Sequence, residues 1–260
     1  MKPGERAGLS DRGRELFRTA ERMRRESAAA EELMPRLSAA PCDRWETILH
    51  DSPGHRTAAV VDCLLDAAEA RFDWRPADAL VIIDLADRVA ASLENELPPI
   101  RLTLLGDVWR ARAGAWRQLF RLEESLAAAL HAEDLYAQLR APAFPVATAW
   151  QTRAATLFEM TRLAEALALN ARATRILDEH GASLPLAQAW MLEAAIRLEQ
   201  GDLVQARDLW RRAIRLLESL HDPRRKAPVE IARCHARLAE CDRRRHDHDP
   251  CGPFRPPGVH

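Results

Sequence analysis

A tryptophan recurs in this 260-residue chain at intervals that constrain how the chain can fold. Trp109, Trp150 and Trp190 stand 41 and 40 residues apart, and small residues follow each of them at constant distances. The residues sixteen positions after the three Trp are Ser125, Ala166 and Ala206. The residues seven positions further on are Ala132, Ala173 and Ala213. Self-similarity at such a period indicates a stack of equivalent units, because a single unit is too small to bury its own apolar face.

A fourth, weaker copy precedes these three. It begins near Val60, has Cys63 in place of the Trp, and carries Ala79 and Ala86 in the two small positions. Apolar residues within each copy follow a helical spacing, and proline or glycine interrupts the chain between several helices. Each copy therefore predicts two antiparallel helices. The predicted pairs are His55–Phe72 with Pro76–Glu94, Ile100–Leu119 with Leu122–Arg140, Val146–Met160 with Leu163–His180, and Ser183–Gln200 with Leu203–Leu220.

The flanking residues do not repeat. Ser10–Leu33 predicts a charged helix, Cys42–His50 a short helix around Trp45, and Ala227–Arg244 a single helix that has no paired helix after it. Residues 246–260 contain four prolines and two glycines and are predicted to be disordered.

The copies resemble the tetratricopeptide repeat family. The similarity is greatest in Gln200–Leu216, which includes the turn glycine of that family at Gly201, and Leu119–Leu135 resembles the second half of the same repeat. The three Trp residues match the family's aromatic near the start of its first helix. Ala113, Ala154 and Ala194 match the small residue where the two helices touch. The spacing of about 40 residues exceeds the family's usual ~34.

The resemblance implies an all-α fold, a right-handed α-solenoid of about four antiparallel helix pairs with an N-terminal helical extension and a C-terminal capping helix. The implied organisation is an extension over 1–55, a repeat array over 56–224, a capping helix over 225–245 and a disordered tail over 246–260. Trp109, Trp150 and Trp190, with Ala132, Ala173 and Ala213, are expected to form the structural core of the repeats.

The resemblance also implies that the first helix of each pair lines a concave groove. The groove positions that it implies are Arg110, Arg117, Gln118, Gln151, Phe158, Glu159, Gln188, Met191, Leu198 and Glu199. Such a mixture suits an extended peptide or a partner helix. A non-catalytic scaffold that binds a peptide or a protein is therefore the leading hypothesis, and an ordinary solvated face is the alternative interpretation of the same residues.

The charge distribution suggests a second hypothesis. Residues 1–25 carry eight basic and four acidic side chains, residues 224–245 carry eight and three, and the intervening residues have a balance of −9. An acidic body disfavours coating of nucleic acid along its whole length, but the arginines near the ends are compatible with phosphate contacts. The alternative function is thus a regulatory protein that senses a ligand or partner and contacts nucleic acid through these terminal helices.

Catalytic chemistry finds little support in the residues. Phosphate-binding loops, nucleophile elbows and zinc-protease motifs are absent from the sequence, so we expect no enzyme activity and no cofactor. Cys241, His246, His248 and Cys251 suggest a third, weaker hypothesis of a zinc-dependent enzyme, but their spacing matches no standard zinc site. We therefore predict no metal at this cluster.

The cysteines and the hydropathy pattern indicate the compartment. Five cysteines are an odd number, and Cys63, Cys234 and Cys241 fall inside predicted helices, which favours reduced thiols over a disulfide framework. The N-terminus lacks the apolar run of a secretion signal, and no stretch is long and apolar enough for a membrane span. The sequence predicts a cytoplasmic protein without membrane association.

Overall fold

The computed structural model describes residues 11–51, 55–94, 96–220 and 226–248. Within these ranges the chain forms α-helices, one 3-10 helix at Cys42–Arg44 and no β-strand. The helices are α1 (Asp11–Ser38), α2 (Trp45–His50), α3 (Ala58–Glu69), α4 (Pro76–Ser92), α5 (Pro98–Gln118), α6 (Leu122–Ala137), α7 (Ala143–Glu159), α8 (Leu163–Glu179), α9 (Ser183–Glu199), α10 (Leu203–Glu218) and α11 (Lys226–His248). The prediction of an all-α, helical-repeat fold is confirmed.

The predicted helix pairs are present. Helix α3 packs against α4, α5 against α6, α7 against α8 and α9 against α10. The pairs are distributed equally between two compact units, residues 1–142 and residues 143–260. Each pair places its first helix beside the first helix of the next pair in the same unit, so α3 also contacts α5, and α7 also contacts α9.

The first unit has a core that includes residues preceding the repeats. Leu33 and Leu37 of α1 and Trp45 of α2 are buried in the same cluster as Leu64 of α3 and Ile83 of α4. Helix α1 packs against α3, and the short helices around residue 45 pack against α4. The predicted N-terminal extension, residues 1–55, therefore contributes part of this unit's hydrophobic core.

Helix α1 is longer than predicted. It continues through Pro35 to Ser38, whereas the sequence pattern placed its end at Leu33. A proline inside a helix removes one backbone hydrogen bond and usually breaks the helix. Here Pro35 stands one turn from the end, and Leu33 and Leu37 on either side of it are both buried, so packing offsets the lost bond.

The second unit ends in a helix that covers the last pair. Helix α11 packs against α10 and contacts α9, and its Cys234 and Cys241 are buried in one cluster with Trp210 and Leu217. This is the location predicted for a capping helix. The helix extends to His248, and residues 249–260 of the segment predicted to be disordered lie outside the described residues.

The small positions of the repeat lie where paired helices meet. Ala132, Ala173 and Ala213 are fully buried, and so are Ser125, Ala166 and Ala206. In the first unit the Ser125 hydroxyl donates a hydrogen bond of 2.8 Å to the backbone carbonyl of Ala113 on the paired helix. A side chain as short as serine reaches the other backbone only because the two helices approach closely.

In each of the last three pairs, the residue at the equivalent position of the turn has a left-handed backbone conformation. The backbone φ is 56° at Phe120, 59° at Thr161 and 81° at Gly201. Each of these residues donates its N–H to the carbonyl three residues earlier, and the next residue donates to the carbonyl five residues earlier; in the third pair these bonds are Thr161 to Phe158 and Arg162 to Leu157, both 2.9 Å. This pair of hydrogen bonds defines a Schellman cap, for which glycine is the favoured residue.

The turn geometry leads to a prediction about stability. Thr161→Gly should remove the roughly 1–2 kcal/mol that a side-chain-bearing residue costs in the left-handed conformation. The greater conformational freedom of glycine in the unfolded chain should offset roughly 0.5–1 kcal/mol of this gain. We expect a net gain of about 0.5–1 kcal/mol in the free energy of unfolding, measured by urea denaturation. Gly201→Ala is the matched opposite change and should destabilise the chain by about 1 kcal/mol. Equal stabilities of all three proteins would contradict the assignment of strain to this turn.

Candidate interaction surface

The residues predicted to bind a partner lie on first helices that stand side by side. In the first unit α3 and α5 form one surface, and in the second unit α7, α9 and α11 form another. We call these the α3–α5 face and the α7–α9–α11 face.

Arg110 on the α3–α5 face is held by carboxylates. Its Nη2 lies 3.2 Å from Oε1 of Glu69 on α3, and its Nε lies 3.6 Å from Oδ1 of Asp107 on its own helix. Burial opposes the guanidinium charge, but Glu69 and Asp107 outweigh it, so the pKa of Arg110 is raised above its usual value. The side chain retains 29% of its exposure, so a partner can still reach it.

A buried tyrosine completes this cluster. The hydroxyl of Tyr136 on α6 donates a 2.6 Å hydrogen bond to Oδ1 of Asp107. Burial and the Asp107 charge raise the pKa of Tyr136, so the phenol stays protonated. The ring lies directly over Gly106, where any Cβ would collide with it. The cluster of Glu69, Asp107, Arg110 and Tyr136 was not predicted, although a glycine inside a helical pattern signals such close packing.

The other predicted residues of this face lie near the end of α5. Arg117 and Gln118 are half-buried, and the Gln118 amide donates a long hydrogen bond of 3.4 Å to Asp73. Nearby, the ring of Phe72 packs on Gly114, where a Cβ would come within 2.7 Å of it. Polar bonds and an aromatic contact thus join the end of α5 to the turn after α3.

Two glutamines join the helices of the α7–α9–α11 face. The amide of Gln151 on α7 donates to the carbonyl of Pro185 on α9 at 2.9 Å. The amide of Gln188 on α9 donates to Oε1 of Glu230 on α11 at 3.2 Å, and Arg233 also bonds to Glu230. Both glutamines therefore fix neighbouring first helices to each other.

The remaining predicted residues of this face differ in exposure. Leu198 is only 4% exposed and packs in the core with Trp210, and Met191 is partly buried against the same cluster. Leu198 is therefore not available to a partner, because α10 and α11 pack against this part of α9. Phe158 is half-buried, whereas Glu159 and Glu199 are exposed at the ends of α7 and α9.

The repeated tryptophans lie at the edges of the cores. All three are half-buried, and two carry a cation over the ring: Arg112 lies 4.5 Å from the centroid of Trp109, and Arg172 lies 4.1 Å from that of Trp150. Arg112 itself is buried and bonds to Asp84 and Asp87 of α4, each at 2.9 Å. The rings are partly packed and partly covered by guanidinium groups, which adds cation–π attraction to burial.

Arginines near the start of α1 are engaged by acidic side chains. Arg22 forms a pair of hydrogen bonds of 3.2 and 3.3 Å with Glu96 and an ion pair with Glu26, and Arg25 pairs with Glu21. These contacts neutralise charge that a nucleic-acid site would need. The side chains of Arg244 and Arg245 lie outside those described.

The Cys/His cluster that was weighed as a zinc site is divided between the core and residues that are not described. Cys241 is fully buried against the helices of the second unit, and Cys251 lies outside the described residues. Across the part of the chain that the structure describes, no three His, Cys, Asp or Glu side chains are grouped so that they could hold a metal ion. None of the four cysteines in this part forms a disulfide bond.

An open cavity of about 460 Å³ lies between α2 and α4. Its lining is largely charged or polar, and Arg88 forms a 3.0 Å ion pair with Glu46 at its edge. The lining is Asp43, Glu46, Thr47, Leu49, His50, Arg56, Leu85, Arg88, Val89 and Ser92. A small-molecule site usually encloses most of its ligand, so this open cavity does not resemble one.

The contact of Gly106 with Tyr136 predicts energetic coupling. Gly106→Ala should destabilise the chain by about 1–3 kcal/mol, because the new methyl group and the ring cannot occupy the same space. Tyr136→Leu alone should also be destabilising, but the double variant should cost at least about 1 kcal/mol less than the sum of the two. Urea denaturation of the four proteins measures this coupling, and additive effects would contradict the contact.

The thiol of Cys234 predicts a pH dependence. Burial, and secondarily the Glu230 carboxylate, raise the pKa of Cys234 to about 11, against about 8.5 in an unfolded chain. The folded state thus keeps a proton that the unfolded state releases. The corresponding stabilisation is complete below pH ~8.5 and is lost as the pH rises toward 11. As the pH rises through this range, the free energy of unfolding of the wild type should fall more steeply than that of Cys234→Ala, by up to about 1.4 kcal/mol per pH unit. Equal slopes of the two proteins against pH would contradict this.

None of the helices in the described ranges combines the length and the apolar character needed to cross a membrane. No family model matches the chain, and no curated protein matches it. The crystal structure of BtubC (BKLC) from P. vanneervenii is similar to it, with a TM-score of 0.52 and 15% sequence identity over 91% of this chain and 96% of that chain. At this identity the likeness concerns the fold alone, and it agrees with the all-α architecture.

Proposed function

We propose that the chain is a non-catalytic scaffold of tetratricopeptide-like repeats that binds a peptide or a partner protein through its first-helix faces. The observation that carries this proposal is the bonding between neighbouring first helices. Arg110 with Glu69 and Gln151 with Pro185 each join two first helices, and Gln188 with Glu230 joins the last first helix to the capping helix; Arg110, Gln151 and Gln188 are half-buried. The faces are therefore polar surfaces whose side chains are already in fixed positions.

Fixed polar side chains favour binding. Arginine has five N–H donors and glutamine has both donor and acceptor atoms, so Arg110, Gln151 and Gln188 retain hydrogen-bonding capacity beyond the bonds described. Because these side chains are already ordered, binding a peptide costs less conformational entropy than ordering free side chains would. Exposed Glu159 and Glu199 extend the α7–α9–α11 face with negative charge.

The way the ionisable groups are used supports a non-catalytic role. A general acid or base works best when its pKa lies near the working pH. In the cluster on α5, the pKa values of Arg110 and Tyr136 both move further from neutrality. The cluster thus holds each group in one protonation state, which suits a structural and binding role.

A cytoplasmic location is part of the proposal. The absence of a disulfide bond among Cys42, Cys63, Cys234 and Cys241, the cysteines in the described ranges, is compatible with a reducing compartment.

Site-specific photo-cross-linking in the cells that contain the protein tests the binding face. We expect benzoylphenylalanine in place of Glu159 or Glu199 to capture the same partner. The same group in place of Ala168 on α8 is the control, since Ala168 is also exposed but lies on a second helix. Capture at both face positions and not at the control supports the proposal. Equal capture at all three positions, or capture at position 168 alone, would exclude this face.

A further inference from the structure

Two aromatic side chains project into solvent at equivalent turns of the first unit. Trp74 follows α3 and is 62% exposed, and Phe120 follows α5 and is 80% exposed. Trp74 stands eleven positions after Cys63, and Phe120 stands eleven positions after Trp109, so the two aromatics hold the same place in successive copies of the repeat.

The turn does not require an aromatic ring at this place. The φ of 56° at Phe120 costs free energy in any residue with a side chain, and Gly201 occupies the equivalent position of the last pair without this cost. The ring of Phe120 also gains little from burial in its own unit, because most of it contacts water. Neither the turn nor the core of the unit therefore explains this side chain.

The two turns are adjacent, and one of the rings is held in place. The amide of Gln118, near the end of α5, donates a 3.4 Å hydrogen bond to Asp73 in the turn after α3. The indole of Trp74 donates a 2.8 Å hydrogen bond to the carbonyl of Ala70. Two large apolar side chains exposed at neighbouring turns form a patch of the kind that marks an interaction surface.

The two turns carry the same arrangement of charges. In each turn an arginine follows the aromatic residue and pairs with a carboxylate three residues further on. Nη1 of Arg75 lies 3.3 Å from Oδ2 of Asp78, and Nη2 of Arg121 lies 2.7 Å from Oε1 of Glu124. A ring, a cation and an anion thus recur in the same order, so the patch consists of two equivalent halves.

The charges of the patch balance. Residues 71–78 and residues 117–124 each carry two arginines and two carboxylates. The arginines are Arg71, Arg75, Arg117 and Arg121, and the carboxylates are Asp73, Asp78, Glu123 and Glu124. A surface without net charge gives nucleic acid or a strongly charged peptide no long-range attraction, and it meets a second copy of itself without repulsion.

We propose that this patch joins two copies of the chain about a two-fold axis. Two equivalent halves are self-complementary when the copies lie antiparallel, which places Trp74 of each copy against Phe120 of the other. The arginine of each turn then lies beside the carboxylate of the opposite turn, so that Arg121 of each copy meets Asp78 of the other. Covering Phe120 in this way supplies the burial that its own unit does not.

The size of the patch predicts a weak dimer. A large aromatic side chain buries about 150–250 Å² when it is fully covered, so covering the exposed parts of all four rings removes roughly 400–700 Å² of apolar area from water. The flanking charged side chains add to this, but a standard interface buries about 1,600 Å². A contact at the low end of this range is reversible, and we expect a dissociation constant in the micromolar range.

Sedimentation velocity of the full chain, over about 1–300 μM, tests the proposal. The sedimentation coefficient should rise with concentration from that of a monomer toward that of a dimer. Phe120→Gly should raise the dissociation constant about tenfold or more while stabilising the fold, because it removes the ring and the backbone strain together. Trp74→Ala should weaken the dimer similarly. Thr161→Gly is the matched control, since it changes the same turn position in the second unit and should leave association unchanged.

An exchange of charges tests the two-fold arrangement. Arg121→Glu places like charges opposite Asp78 of the other copy, and Asp78→Arg places like charges opposite Arg121. Each variant alone should therefore dimerise about tenfold or more weakly than the wild type. In an equimolar mixture, one molecule of each variant restores opposite charges at both contacts, so the mixture should dimerise as the wild type does.

Three outcomes would overturn the proposal. A wild-type chain that stays monomeric over the whole concentration range would assign the patch to a different partner. Association that persists unchanged in Phe120→Gly and Trp74→Ala would place the contact elsewhere on the chain. A mixture of the two charge variants that associates no more strongly than either variant alone would exclude the two-fold arrangement.

Discussion

The close approach of paired helices at small side chains is the constraint on which the rest of the fold depends. The hydrogen bond from Ser125 to the carbonyl of Ala113 is direct evidence of this approach, and the alanines in equivalent positions of the later pairs are fully buried. Leucine or phenylalanine at these positions would hold the helix axes further apart. Larger residues must therefore lie beside the contact line, where they meet the neighbouring pair or the solvent.

This arrangement explains why the repeated tryptophans are half-buried. With the contact line occupied by alanine, Trp109 and Trp150 can pack only one side of their rings against the helices. The other side is covered by the guanidinium groups of Arg112 and Arg172, whose central carbons lie 4.5 and 4.1 Å from the ring centroids. A cation over the ring is thus the consequence of small residues at the helix contact, and it contributes to stability without a larger core.

The sequence was sufficient to predict the pairs and their small contact positions, because both follow from a period that repeats four times. It was not sufficient to predict which residues of the first-helix faces are bonded. Arg110 and Glu69 are 41 residues apart and join neighbouring copies, whereas Gln188 and Glu230 are 42 apart and join the last copy to the capping helix. The available signal for these bonds was a pair of complementary polar side chains separated by about one repeat period. The prediction from the family pattern that Leu198 lines the groove was wrong, because it did not consider the helices that cover α9.

Helix α11 also limits how far the second face extends. Its buried side holds Cys234 and Cys241, whereas its exposed side carries Arg233, Arg237 and alanines, with no large apolar residue among the described side chains. A further repeat would need an apolar surface on which to stack, and this polar side does not provide one. The buried Glu230 fixes α11 to Gln188 of α9, so the capping helix also forms the last strip of the face. The helix that closes the second unit therefore also bounds the α7–α9–α11 face.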